Sequence, residues 1–251
     1  MEQVIFLGTS SAISNEKQEN SHLFFQSGSR KILVDCPGNP ISRMKELKIN
    51  PLELTDLIIT HFHPDHVSGL PLLLMDLWIM GRKDPLSIFG LQFTLDRAKA
   101  MMELFDWQKW PEFFSVNFNE VEETNNFPII ISKEINVFTA PGKHLIPSIG
   151  VKFEFPVSGK KIAYSSDTEP CESMMELVKN TDILIHESGG SGFGHTSAEN
   201  CGKIALEAAV KQLYLIHYPG EISENELLSQ ASKFYFGDVF LAKDLLTIKL
   251  A

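Results

Sequence analysis

Cysteine is scarce in this chain, which carries only Cys36, Cys171 and Cys201 among its 251 residues. Because none of them forms a Cys-x-x-Cys pair, the pattern argues against a disulfide framework and indicates reduced thiols. The first residues run directly into an apolar segment, without the basic start and cleavage site typical of a secretory signal. No apolar run reaches the ~18 residues that a membrane span needs. We therefore expect a cytoplasmic protein with no membrane partner.

Basic residues are also in short supply. The chain has 22 Lys and Arg against 32 Asp and Glu, which gives a formal net charge of −10. Such a chain repels a polyanion unless its few cations gather into a local patch. The only basic clusters are pairs, which are usually ordinary solvated surface: Arg30-Lys31, Arg82-Lys83 and Lys160-Lys161. The charge balance therefore argues against a long nucleic acid as the partner.

No Pro-, Gly- or Ser-rich linker divides the chain, and 43% of its residues are hydrophobic. We therefore expect one domain over residues 1–251, built from two similar halves with a sizeable core. Apolar patterning predicts strands near 3–8, 22–26, 31–35, 56–60, 86–89, 114–118, 129–139, 149–155, 161–165, 182–186 and 212–216. It predicts helices over 40–47, 67–80, 92–106, 170–179, 197–210 and 223–232. This order fits an α/β fold in which two sheets carry helices on their outer faces.

Histidine is concentrated in one stretch, His61-Phe62-His63-Pro64-Asp65-His66, which holds three of the 8 histidines. The stretch follows an apolar strand, so His61 and His63 are two apart in extended backbone and can point the same way toward one metal ion. Asp65 and His66 are adjacent and can reach a second point a few Å away. A surface cluster or a set of buried core histidines is a poorer explanation at this density. The spacing predicts a metal site, and favours two ions over one.

Three further ligand-type residues stand where apolar, strand-like runs stop. His144 follows Ala140-Pro141-Gly142-Lys143, and Asp167 and His217 end the runs that begin at Ile162 and Leu213. One such residue would usually belong to a turn. Three of them, all of a type that binds metals, favour a site completed from several strand ends.

In order and spacing, these motifs resemble those of the metallo-β-lactamase-fold hydrolases, and they are most similar to the ribonuclease Z branch. The matching motifs include Phe6-Leu7-Gly8-Thr9, His61 to His66, Val67-Ser68-Gly69-Leu70-Pro71, Ser165-Ser166-Asp167-Thr168, His186-Glu187-Ser188 and His195-Thr196-Ser197. The resemblance implies a four-layer αββα sandwich. It also implies two metal ions, Zn²⁺ with Mn²⁺ or Fe²⁺ as alternatives: one held by His61, His63 and His144, the other by Asp65, His66 and His217, with Asp167 bridging them.

Two residues outside the ligand set separate the ribonuclease Z branch from the lactamases. His195 matches a histidine that members use near the leaving group, although taken alone it would suit the capping region of the next helix equally well. Glu187 is placed to accept a hydrogen bond from it and to fix its tautomer. The resemblance thus predicts Asp65, His195 and Glu187 as catalytic residues. In this hypothesis a metal-bridged hydroxide, oriented by Asp65, attacks phosphorus, and His195 protonates the leaving oxygen.

The chain departs from the ribonuclease Z pattern in two places. Asp35-Cys36-Pro37-Gly38-Asn39-Pro40 replaces the usual Gly-Glu-Gly-Thr-Gln-like run, and only 23 positions separate His144 from Asp167, which leaves no room for a long tRNA-gripping arm. The substrate therefore stays open between an RNA 3′ end, cut by an endonuclease, and a small or cyclic phosphodiester. A hydrolase of thioesters or lactones is the alternative, and a non-catalytic metal-binding protein ranks last.

The densest aromatic segment contains Phe105, Trp107, Trp110, Phe113 and Phe114. It would serve either as a base-stacking platform near the site or as core packing or a dimer contact. The second interpretation is favoured because aromatic residues take those roles more often. Since this interpretation includes a dimer contact, a homodimer is a further expectation.

Overall fold

The first half of the chain builds most of one sheet and the helices that cover it. A computed structural model describes residues 1–250. In order, the first elements are β1 (Glu2–Gly8), β2 (His22–Ser27), β3 (Arg30–Val34), α1 (Pro40–Glu46), β4 (Asp56–Ile58), α2 (Pro64–Val67), α3 (Leu70–Ile79), β5 (Leu86–Leu91), α4 (Gln92–Glu103) and β6 (Val116–Val121). Short 3-10 turns at Pro51–Glu53 and Trp107–Lys109 precede β4 and β6.

The second half builds the other sheet and returns one strand to the first. Its elements are β7 (Phe127–Ile131), β8 (Asn136–Pro141), β9 (Ile149–Phe155), β10 (Lys160–Tyr164), α5 (Glu172–Val178), β11 (Ile183–Glu187), α6 (Ala198–Glu207), β12 (Gln212–Ile216), α7 (Glu224–Ser232), β13 (Asp238–Leu241) and β14 (Thr247–Lys249). The strand orders are β14-β1-β2-β3-β4-β5-β6 and β13-β12-β11-β10-β9-β8-β7. The last strand, β14, pairs antiparallel with β1.

The two sheets pack face to face because their strands are apolar on both sides. Along β1, Val4 and Phe6 point into a core shared by both sheets, whereas Ile5 and Leu7 pack toward the helices. Phe25 of β2 and Phe153 of β9 stack across the shared core with ring centroids 3.7 Å apart. Two outer cores lie under α1, α3 and α4 on one side and under α5, α6 and α7 on the other. The predicted four-layer αββα sandwich is therefore confirmed.

Several predicted boundaries are wrong for local reasons. The single strand predicted over 129–139 is the hairpin β7–β8, because the Ser132 side chain accepts from the backbone N–H of Glu134 and Ile135 and closes a turn. The helix predicted over 67–80 begins earlier and is divided at Ser68-Gly69 into α2 and α3. The short strands β13 and β14 were not predicted, since three or four residues give too little alternation to detect.

The strands that carry the predicted site residues end at the same edge. In the second sheet, β10, β11 and β12 are parallel to one another, and β8 runs the same way because β9 lies antiparallel between β8 and β10. In the first sheet, β3 and β4 are parallel. The loops that follow these strands therefore meet where α/β layers usually place a functional site.

Among residues 1–250, no helix combines the length and the apolar character that crossing a bilayer requires.

Candidate metal centre

The first group of metal-ligand side chains contains His61, His63, His144 and Asp167. His63 Nδ1 lies 3.1 Å from His61 Nε2 and 3.0 Å from His144 Nε2. Burial lowers the pKa of all three histidines, and that of His61 lies well below its usual value. Neutral imidazole is the form that binds a metal, so the three rings present free nitrogen lone pairs to one point.

The second group contains Asp65, His66, Asp167 and His217. His217 Nε2 lies 3.4 Å from Asp65 Oδ2, and His66 Nε2 lies 3.6 Å from the same oxygen. Helix α2 makes this possible because Pro64 opens it and His66 N–H bonds back to His63 O at 3.0 Å, which brings Asp65 and His66 beside His217. The two halves of the histidine cluster thus fall into two ligand groups that share Asp167, and the assignment of one metal ion to each group stays a prediction.

Asp167 belongs to both groups. Its Oδ2 lies 3.4 Å from His217 Nε2, 3.5 Å from His66 Nε2 and 3.8 Å from His61 Nε2. Burial alone would raise the pKa of this carboxyl, but His217 and His66 hold it well below its usual range. The carboxylate is therefore ionised and is in a position to bridge two cations.

The donor set fits a pair of metal ions. Within the described residues 1–250, His66 Nε2 and Asp167 Oδ1 are buried and have no hydrogen-bond partner. Burying polar atoms without hydrogen-bond partners is costly, so these two ligand-type atoms favour a bound metal ion as their partner. Imidazole nitrogens and carboxylate oxygens are the ligands that transition-metal ions such as Zn²⁺ take. The geometry is thus compatible with a two-metal centre.

Asp35 was not among the predicted site residues, yet it contacts one of them directly. It follows β3 and accepts hydrogen bonds from His66 Nδ1 at 2.8 Å, Thr60 N at 2.8 Å and Thr60 Oγ1 at 2.9 Å. A carboxylate behind a histidine fixes its tautomer and leaves Nε2 free to bind a metal. Although burial lowers the pKa of His66, Asp167 and Asp35 raise it well above its usual value. The sequence signal that could have identified Asp35 is the one that was used for Asp167, namely a carboxylate at the point where an apolar strand ends.

Three residues at these strand ends have a left-handed backbone. Asp35 has φ 62°, Ser166 has φ 51° and His217 has φ 54°. Side-chain-bearing residues rarely adopt this conformation, and where they do so, functional sites are over-represented. All three lie beside or within the two ligand groups, so the sharp turns aim Asp35, Asp167 and His217 at the centre.

His195 and Glu187 lie at the edge of the second group. His195 Nδ1 is 3.4 Å from Glu187 Oε1, and its ring stacks on that of His217 with centroids 5.5 Å apart. Glu187 is buried and fixed by backbone N–H groups: Oε1 accepts from Thr196 at 2.6 Å and Oε2 from Gly189 at 2.7 Å. The Glu187 carboxylate raises the pKa of His195. The structure therefore brings all nine predicted site residues together.

A cavity of about 870 Å³ opens beside His217 of the second ligand group. His195 and His217 line it, together with residues from the segments 11–18, 218–222 and 243–244. The cavity is large enough for a small organic molecule next to the predicted metal ions.

The aromatic segment lies away from this centre. Phe114 is buried, and Trp107, Trp110 and Phe113 are partly buried against the outer core of the first sheet. The segment precedes β6, which is parallel to β5 and through it to β4, whose carboxyl end leads into the histidine cluster. It therefore sits at the opposite end of the sheet from the site, with Phe105 exposed, which leaves core packing or a dimer contact as its role.

Comparison with known proteins supports the fold and the resemblance. Ribonuclease Z of Methanothermobacter thermautotrophicus is 25% identical to this chain, in an alignment that covers 100% of the chain and 97% of the relative. The metallo-β-lactamase-fold protein YhfI from Bacillus subtilis superposes with a TM-score of 0.81 at 21% identity, covering 98% of both chains. Human tRNase Z, short form, superposes with a TM-score of 0.77 at 22% identity, covering 99% of both.

The structure therefore has the metallo-β-lactamase fold, and the similarity to ribonuclease Z proteins extends over its whole length. A more specific match comes from a family defined by sequence, whose profile aligns with residues 2–237. The chain accordingly belongs to the family described as anti-Pycsar protein Apyc1.

Proposed function

We propose that this chain is a two-metal hydrolase that cleaves phosphodiester bonds. The observation that carries the proposal is the shared oxygen of Asp167, which lies within 3.8 Å of histidines from both ligand groups. Relatives named ribonuclease Z match the chain over its whole length and support the reaction class. Membership of the family described as anti-Pycsar protein Apyc1 is compatible with this activity.

The ligand assignment supports two Zn²⁺ ions, with Mn²⁺ or Fe²⁺ as alternatives that accept the same donors. His61, His63 and His144 would hold one ion, Asp65, His66 and His217 the other, and Asp167 would bridge them. Bound there, the ions would lower the pKa of a water molecule and neutralise charge on the phosphoryl oxygens.

The chain's own groups would then move the protons. Asp65 Oδ2 lies between His66 and His217, where it can orient a nucleophilic water or take its proton. On the cavity side, the raised pKa of His195 keeps a proton available for the leaving oxygen. Glu187 is buried, and its carboxylate accepts a hydrogen bond from the backbone N–H of Thr196. It would therefore orient His195 and not contact the substrate.

A small or cyclic phosphodiester fits this chain better than an RNA 3′ end. The formal net charge of −10 disfavours a long polyanion. Between His144 and Asp167 the chain contains only β9, β10 and their turn, with no arm. The alignment with the Methanothermobacter ribonuclease Z is 305 positions long against 251 residues here, so that relative carries segments without a counterpart in this chain.

The assay that tests the function uses purified, zinc-loaded protein on a panel of substrates. The panel contains a chromogenic phosphodiester, 3′,5′-cyclic nucleotides, precursor tRNA, a thioester and a lactone. We expect turnover of the phosphodiesters, fastest for the small ones. If no phosphodiester is turned over, the proposal is rejected. Turnover of the thioester or lactone alone would establish the alternative of another hydrolase with the same fold.

His195→Ala separates the phosphodiesterase from that alternative. Loss of a positioned general acid should lower kcat on the order of 10²-fold while the bound metal per chain stays unchanged. A His195→Ala variant with wild-type turnover would remove His195 from the reaction.

We also propose that the chain forms a homodimer through helices α3 and α4. These neighbouring helices and the residues after them expose the large apolar side chains Leu72, Ile79, Leu104 and Phe105. Exposed apolar area of this kind is typical of protein contacts. Light scattering coupled to size exclusion should give a dimeric mass for the native chain and a monomeric mass for Leu104→Glu. A monomeric native chain would contradict the proposal.

A further inference from the structure

A buried carboxylate outside both ligand groups ties three separate segments together. Asp244 lies between β13 and β14, and its side chain is only 8% exposed. Its Oδ1 accepts from Thr9 Oγ1 at 2.7 Å. Its Oδ2 accepts from the backbone N–H of Glu19 at 2.9 Å and from Arg43 Nη2 of α1 at 2.6 Å.

Two of these partners bracket most of residues 9–20, which lie in the connection between β1 and β2. Thr9 opens that segment and Glu19 closes it, so a single carboxylate holds both of its ends. Residues 11–18, between the two anchors, form one wall of the cavity beside His195 and His217. The anchored segment is thus the wall that a substrate in the cavity would touch.

The same network of hydrogen bonds extends to His217, a candidate metal ligand. The backbone N–H of His217 donates to Thr9 O at 2.9 Å. Gln18 Nε2 donates to the hydroxyl of Tyr218 at 2.6 Å, and this hydroxyl in turn donates to Ala242 O at 2.8 Å. The wall, the strand end that carries His217 and the segment that carries Asp244 are therefore held by one connected set of hydrogen bonds.

We propose that Asp244 is a positioning residue, which fixes residues 9–20 as the cavity wall that holds a small phosphodiester against the metal centre. The inference rests on the proposed function, because it assigns the cavity to the substrate of that reaction. Asp244 also lines the cavity, but it lies outside both ligand groups, and its oxygens accept hydrogen bonds from Thr9, Glu19 and Arg43. It acts through Thr9 and Glu19, and Arg43 holds it in place.

The chain contains a closely matched carboxylate that serves as a control. Asp56, at the start of β4, is 2% exposed, pairs with Arg30 Nη1 at 2.9 Å and accepts from Thr55 Oγ1 at 2.6 Å. Like Asp244, it therefore combines burial, an arginine and a threonine hydroxyl. It lies at the opposite end of β4 from the histidine cluster, so it should contribute to stability and not to substrate binding.

The experiment compares Asp244→Asn with Asp56→Asn in zinc-loaded, full-length protein. The phosphodiester of the panel that is turned over fastest is the probe. For Asp244→Asn we expect KM to rise about tenfold, kcat to change by less than about threefold and bound zinc to stay unchanged. Hydrogen–deuterium exchange should increase at residues 10–19. Asp56→Asn should lower the melting temperature with KM and that exchange unchanged.

Two substitutions of Thr9 test whether a conservative change restores substrate binding. Thr9→Val removes the hydroxyl that Asp244 accepts from and should raise KM, whereas Thr9→Ser keeps the hydroxyl and should restore a KM near that of the native chain. A general loss of stability would not distinguish these two variants in this way.

An unchanged KM in Asp244→Asn, or an equal rise in Asp56→Asn, would overturn the inference. If the native protein turns over no phosphodiester, the proposed function fails, and the exchange comparison decides the positioning role without it. Faster exchange of residues 10–19 in Asp244→Asn alone supports that role, and equal exchange in both variants rejects it.

Discussion

At the scale of single residues, burial and neighbouring carboxylates act in opposite directions on the pKa of each histidine near the centre. Burial lowers the pKa of His61 and His144 and keeps them neutral, whereas carboxylates raise the pKa of His66 and His195. The pKa values differ because His66 lies beside Asp167 and Asp35, and His195 lies beside Glu187. Neutral rings are ready to bind a metal, and the raised pKa of His195 suits a proton donor.

The ligand assignment predicts a specific loss of metal. His63→Ala should reduce the bound metal from about two ions per chain to about one or fewer, because its Nδ1 lies between His61 and His144. Elemental analysis of the purified variant measures this directly. His186→Asn, at a buried histidine outside both groups, is the control and should keep its metal. An unchanged metal content in His63→Ala would reject the assignment.

His186 also predicts a loss of stability in acid. It is buried and donates through Nδ1 to Glu187 O at 2.8 Å, and burial lowers its pKa from 6.5 to about 4. A depressed pKa means that the unfolded chain takes up the proton first, so this stability is present above pH 6.5 and is lost as the pH falls toward 4. At pH 5 the loss amounts to about 2 kcal/mol.

Urea unfolding at pH 7 and pH 5 tests this prediction. The fall in unfolding free energy between the two values should be smaller by about 2 kcal/mol in His186→Asn, because Asn keeps a donor and does not titrate. An equal fall in the variant and the native chain would show that His186 does not titrate as described.

At the scale of elements, the close approach of α2 and α3 to the loop after β3 depends on a glycine. A Cβ at Gly69 would lie 2.5 Å from the backbone oxygens of both Cys36 and Gly38. Gly69 N–H donates to Cys36 O at 2.8 Å, and Cys36 N–H donates to His66 O at 2.8 Å. The helix pair that carries Asp65 and His66 is therefore docked directly on the segment that begins with Asp35.

Gly69→Ala should push these two segments apart. We expect it to lower the unfolding free energy by about 2 kcal/mol or more. It should also weaken metal binding, because the hydrogen bond between His66 and Asp35 would be lost or lengthened. Gly159→Ala is the control: its φ is 71° with no atom within 4 Å, so it should cost about 1 kcal/mol of backbone strain and leave the metal affinity unchanged. Equal metal affinity in both variants would contradict the prediction.

The elements also show what the sequence could and could not predict. Ser197 and Ser223 start helices where predicted, because each side chain caps its helix by accepting from the N–H three residues on. The carboxyl-terminal strands β13 and β14 could not be predicted, since four and three residues are too few to show an alternating pattern. For the centre, spacing singled out His61, His63 and His66, strand ends suggested His144 and His217, and only the family resemblance suggested a role for His195. The link from Asp35 to His66 needed the fold, because 31 residues separate them.

At the scale of the whole molecule, the two sheets share one apolar core. Residues of both halves line it, among them Phe25 and Phe153, which stack on each other. Neither sheet could bury its inner face alone, so we propose that residues 1–251 fold as a single domain.

Calorimetry should therefore show one cooperative transition for the metal-free chain. Phe153→Ala should lower the unfolding free energy by about 3–5 kcal/mol and move the whole transition, because it leaves a cavity between the sheets. Two separate transitions, or a shift of only part of the heat absorption, would show that the halves unfold independently.

The pairing of β14 with β1 has a consequence for the order of assembly during translation. The first sheet starts to form from β1 and β2, yet one of its edges stays open until Thr247–Lys249 leave the ribosome. Asp244 also arrives late, so Thr9 and Glu19 wait for their shared acceptor until almost the whole described chain has been made. A nascent chain should thus carry an unpaired β1 edge, and chaperones that shield such edges would act on it before the centre closes.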